Sequence, residues 1–134
     1  MTRTRLRRLS SAGIVAATAL IAVTTLTPLA TSDGGCALGL PCVVVRAGGF
    51  GALGVAIAAR FAVSEAAARA PRRMLLMTLL ALWIGAAIDE LAQAAVGRDP
   101  ALANWLADMA GAIGGLTAGS IVLRALRQQR PQHD

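Results

Sequence analysis

Lysine and tyrosine are absent from this chain, histidine occurs once, and aromatic residues make up 3% of it. Each shortage excludes something. The net charge of +6 suggests nucleic acid at first sight, but every basic residue is Arg and the arginines form no basic face. With few aromatics for base stacking, no nucleic-acid partner is expected. One histidine (His133) and two cysteines (Cys36 and Cys42) are too few ligands for a metal centre, so no metal and no cofactor are expected. No HExxH pattern is present and no nucleophile stands beside a base, which makes an enzyme the weakest function class. No long polar stretch is left to build a soluble domain, and no internal repeat is evident.

What is present is apolar. Hydrophobic residues make up 56% of the 134, with a mean hydropathy of +0.63, too greasy for a typical soluble fold. A membrane-spanning helix needs roughly 20 mostly apolar residues. Four stretches qualify, at about 11–30, 43–63, 73–96 and 101–123. The expected fold is all-α: a four-transmembrane-helix membrane bundle forming one domain over 1–134, with the lipid bilayer as its first partner. Arg in place of Lys, beside abundant Ala and Gly, matches the usage of a GC-rich bacterial genome.

The arginines predict the topology. Arg3, Arg5, Arg7 and Arg8 precede the first run, Arg60, Arg69, Arg72 and Arg73 separate the second from the third, and Arg124, Arg127 and Arg130 follow the fourth. Eleven of thirteen therefore fall on one side, with Arg46 and Arg98 on the other. The positive-inside rule then places both termini in the cytoplasm, with four spans. The first run reads as an uncleaved signal anchor, because it is longer than a usual signal-peptide core and Pro28 spoils the one plausible cleavage site, after Ala30. Cys36 and Cys42 then lie outside, where a local disulfide is permitted; two free thiols are the alternative. In the second inner loop Ser64 can cap a short helical turn in which Glu65 and Arg69 pair at i,i+4.

Acidic residues inside the apolar runs are the strongest functional signal, since carboxylates at membrane depth are costly. Asp89 and Glu90 stand in the third run with Gln93, and Asn104 and Asp108 stand in the fourth. Gly97-Arg98-Asp99-Pro100 between them predicts a tight antiparallel hairpin. At 1.5 Å per residue, Asp89 and Asp108 each lie roughly 12 Å below the turn, and Gln93 and Asn104 roughly 6 Å below it. Each pair repeats at i,i+4 and shares a helix face. The expectation is a two-layer polar site in the outer half of the bilayer. Its surplus negative charge calls for a proton, a cation or a counter-charge, and Arg98 at the lip is the candidate. Small residues at i+4 spacing (Gly85 on the third run; Gly111, Gly115 and Gly119 on the fourth) predict close helix packing, and Gly48, Gly51 and Gly54 slim the second run. Trp105 reads as an interfacial anchor and Trp83 as a deeper packing residue.

The stretch DELAQAAVGRDPALANWLADMAGAIGG, from Asp89 to Gly115, resembles the signature of the VanZ-like family. Glu90 with Gln93, Gly97 with Arg98, and Gly111 with Gly115 carry the resemblance. Asn104 and Asp108 stand exchanged relative to that pattern, and the second run lacks the polar residues that many members carry there. The resemblance implies a multi-pass protein of the bacterial inner membrane, acting at the cell envelope; the founding member of the family is associated with low-level resistance to the glycopeptide teicoplanin. On that reading Asp89, Glu90, Gln93, Arg98, Asn104 and Asp108 bind or sense a lipid-linked or cell-wall ligand. The alternatives are a small proton-coupled transporter acting as an oligomer, and a structural clasp between helices.

Overall fold

A computed structural model describes residues 3–26, 40–95 and 101–128. The described elements are helices throughout: α1 Arg3–Leu26, α2 Cys42–Ala62, α3 Glu65–Arg69, α4 Pro71–Ala95 and α5 Leu102–Gln128. All but the short α3 are long and apolar enough to cross a membrane. Helix α1 begins eight residues before the expected span and takes in the N-terminal arginines. Arg is a good helix former, and its apolar stem can lie along a helix while the head stays in polar surroundings. Polar residues in α1 are absorbed locally: Thr24 donates to the Leu20 carbonyl at 2.9 Å and Thr25 to the Ile21 carbonyl at 2.7 Å.

The connector between α2 and α4 follows its sequence. Ser64 caps α3 by accepting from the Ala67 N–H at 3.3 Å, and Arg69 reaches Glu65 at 3.5 Å on an exposed face. Pro71 opens α4 at the one turn where its missing N–H costs nothing.

Glycines decide how the helices pack. The most extensive interface is α2 against α5. A Cβ on Gly111 would overlap the backbone of Ala47, and one on Gly115 the backbone of Gly51; one on Gly119 would come within 3.2 Å of the Val55 Cα. The contacts advance together along both helices, so α2 and α5 run parallel with their backbones nearly touching. Gly54 makes the reciprocal approach to Ala112, Gly115 and Leu116. Two of the expected packing glycines do not pack. Gly85 and Gly48 are exposed, and a Cβ on either would meet nothing within 4 Å. Small-residue spacing marks a slim helix face without saying which neighbour it meets, and the fourth run found the second, not Gly85 on the third.

Helix α1 packs antiparallel on α2, with Gly13 at Ala56 and Ile21 at Gly49. Ala17 and Ile21 join Phe50, Leu53, Leu82, Ala86 and Ala112 in one core. The outer surface is apolar: Val15, Leu91 and Leu102 are 69%, 70% and 72% exposed. In water that coat would be a large sticky patch, whereas in hydrocarbon it matches the solvent.

Candidate functional site

Four helix positions converge near the end of the bundle where α2 and α5 begin and α4 ends. Arg46 lies one turn into α2, Asp89 and Glu90 lie near the end of α4, and Asp108 lies in the second turn of α5. The parallel α2–α5 packing sets the register, since Gly111 on Ala47 places Asp108 beside Arg46. The guanidinium forks onto Asp108. Its Nε donates to Oδ1 at 3.0 Å, and Nη2 makes a second, short bond to Oδ2. The other N–H of Nη2 goes to Asp89 Oδ2 at 3.0 Å. Glu90 Oε1 sits 2.6 Å from Nη2, but both N–H groups there are already committed, so the contact is ionic and unaligned.

Two further donors join the inner ring. Gln93 is buried and donates from Nε2 to Asp89 Oδ2 at 2.8 Å, one turn back on the same helix face. Glu90 Oε2 accepts from the backbone N–H of Ala101 at 3.0 Å. That N–H lies at the start of α5, where donors have no helical partner and a carboxylate is favoured.

The ring is well sealed. Arg46, Asp89, Glu90 and Asp108 expose 5%, 12%, 10% and 0% of their side chains. It is also incomplete. A guanidinium has five N–H donors; three are bonded here, and the two on Nη1 have no partner. An unpaired buried donor costs on the order of 1–3 kcal/mol. Glu90 Oε1 is likewise without a hydrogen bond. Formal charges give one positive group against three negative ones.

Comparison with family models, curated proteins and solved structures finds no match for this chain. The geometry of the site is therefore the main guide to what it does.

The two carboxylate-bearing helices do not meet at equal depth. Glu90 reaches Ala101, and Trp83 meets Trp105 edge-to-face with ring centroids 6.1 Å apart. Both contacts seat α5 deeper along α4 than a symmetrical hairpin would. Side chains lean toward the N-terminus of their own helix. In antiparallel helices Asp89 and Asp108 therefore lean toward each other, and Arg46 spans the step. The expected second layer is not formed. Asn104 is half-buried, and its side chain makes no hydrogen bond among the described residues; its backbone N–H bonds to Ala101. Arg98, the expected counter-charge, lies outside the described residues, as do Gly97, Asp99 and Pro100. Cys42 is disulfide-bonded, while Cys36 also lies outside the described residues.

The residue that sequence reasoning missed is Arg46. By sequence alone it reads as a topological charge at the outer end of the second run. The available signal was its position inside that run, where a cation needs a buried anion. One oxygen from each of the three carboxylates lies within 4.8 Å of the others, a spacing able to hold a cation, and the Arg46 guanidinium supplies that positive charge.

Proposed function

We propose that this chain is a small multi-pass protein of the bacterial cytoplasmic membrane whose Arg46–carboxylate cluster binds a ligand near the outer face. The observation that carries the reading is the imbalance of the cluster: two buried carboxylates and the partly buried Asp89 against one guanidinium, with both Nη1 donors and Glu90 Oε1 unbonded. A cluster whose only task is to hold helices together gains most when every member is paired, because a half-satisfied polar network is worse than an apolar contact. This one retains spare donor and acceptor capacity on buried atoms.

The arginine distribution supports an orientation with both termini in the cytoplasm, which puts the cluster toward the cell exterior. The packing of Ala17 and Ile21 into the core supports retention of α1 as an uncleaved anchor. The resemblance of Asp89–Gly115 to the VanZ-like signature supports a role at the cell envelope, with altered teicoplanin susceptibility as the phenotype to seek.

The test is expression of the chain in a susceptible bacterium, with the minimal inhibitory concentration of teicoplanin as readout. Wild type should raise it. Glu90→Gln and Asp108→Asn should return it to the vector level while remaining in the membrane fraction in normal amount. Absence of any wild-type effect sinks the susceptibility reading. Loss of the variants from the membrane would instead make the cluster a structural clasp.

A further inference from the structure

A groove bounded by α1, α2 and α4 opens beside the cluster. Its volume is about 300 Å³, and its wall includes Ile21, Phe50, Leu53, Ala81, Gly85 and Asp89. Among the described residues, Asp89 is the one ionisable side chain along it. From Ala81 to Ala92, both on the wall, the groove follows α4 for about 16 Å at 1.5 Å per residue. That is about the depth of one leaflet of a hydrocarbon core roughly 30 Å thick. Gly85 keeps the floor open, since a side chain there would project into free space. The volume is at the small end of ligand sites and suits one alkyl chain rather than two.

Asp89 is also where the cluster is least closed. Its Oδ2 accepts from both Arg46 and Gln93, whereas Oδ1 takes no hydrogen bond from any described residue. The side chain keeps 12% exposure while Asp108 keeps none. The negative surplus of the cluster therefore meets the groove at the Asp89 carboxylate, with apolar residues making up most of the rest of the described wall. An unpaired carboxylate oxygen in such surroundings needs a donor, and a cationic donor also offsets the surplus.

We propose that this groove holds a single-chain amphiphile with a protonated amine, the ammonium donating to Asp89 Oδ1 and the alkyl chain running along α4 toward Ala81. An anionic amphiphile is repelled by the same surplus, and an alcohol of equal length supplies the donor without the charge. The proposal rests on the ligand-binding reading of the cluster and names the ligand class for it.

The full chain in phosphatidylcholine nanodiscs is titrated with dodecylamine, dodecanol and dodecyl phosphate, and the thermal unfolding midpoint is followed. Dodecylamine should raise the midpoint with an apparent affinity at least about tenfold above that of dodecanol, the factor expected of a charge-assisted over a neutral hydrogen bond. Dodecyl phosphate should have no effect. Asp89→Asn should bring dodecylamine down to the level of dodecanol. Gly85→Leu fills the floor without touching the cluster, and should abolish the response to both. Equal binding of amine and alcohol by wild type, a response to the phosphate, or unchanged amine binding by Gly85→Leu would each overturn the proposal. Failure here with an intact teicoplanin effect removes the amine and spares the role of the cluster. Amine binding without a teicoplanin effect does the reverse.

Discussion

At the scale of single residues, Arg46 determines what the acidic cluster is. Three carboxylates drawn from two helices repel one another until a cation enters, and a planar fork that reaches Asp108 through two nitrogens while touching Asp89 and Glu90 is well shaped for the task. Replacing Arg46 with Met leaves those acids buried without their partner. Removal of one member of a buried pair costs about 3–5 kcal/mol. A large fall in the unfolding midpoint in detergent micelles is therefore expected, and a midpoint equal to wild type would show that charge pairing is not what closes this end of the bundle. Arg46→Lys should fall between the two, because a point charge cannot reproduce the fork. Asp108→Ala should cost more than Asp89→Ala, since Asp108 is fully buried and takes the fork whereas Asp89 shares one N–H and keeps some exposure. The carboxylates and Gln93 were legible in the sequence because polar groups at i,i+4 inside apolar runs have few innocent explanations. The role of Arg46 was not, because it depends on the register of α2 against α5, which no spacing within either run encodes.

At the scale of elements, two glycines with the same sequence signature have opposite roles. Gly115 lies where the α2 and α5 backbones touch, and Gly85 lies on an open groove. Gly115→Ala forces its Cβ into Gly51, and parting these helices also pulls Asp108 from Arg46. Overpacking of this kind costs about 1–3 kcal/mol. Gly85→Ala adds a methyl group to empty space and should gain up to about 1 kcal/mol in helix propensity. Thermal unfolding of the two variants side by side measures the contrast, and equal midpoints would mean that α2 and α5 do not approach as closely as described. The four spans themselves were legible from length and hydropathy. Their neighbours were less so. The hairpin reading paired the third and fourth runs symmetrically, whereas the glycine ridge of α5 joins it to α2 and leaves α4 more loosely attached. A slim face attracts whichever backbone is equally slim, and Ala47, Gly51 and Gly54 gave α2 that face.

At the scale of the whole molecule, the cluster sharpens the argument for orientation. Arg46 was one of only two arginines opposing the positive-inside assignment. Its charge is sequestered among three carboxylates and does not act as a free interfacial charge. Arg98 alone then stands against eleven arginines on the other side. The disulfide at Cys42 fits the same assignment, because the start of α2 then faces an oxidising compartment. Alkaline phosphatase, which needs its own disulfides to become active, reports on this directly. Fused after Gln128, at the end of α5, it should be inactive; fused after Ala95, at the end of α4, it should be active. The reversed pattern would place Asp89 and its groove toward the cytoplasm, and any ligand of the cluster would have to be sought there. Activity at both junctions would show that α5 does not cross the bilayer, which would leave Asp108 without the low-dielectric surroundings that make its pairing with Arg46 costly to break.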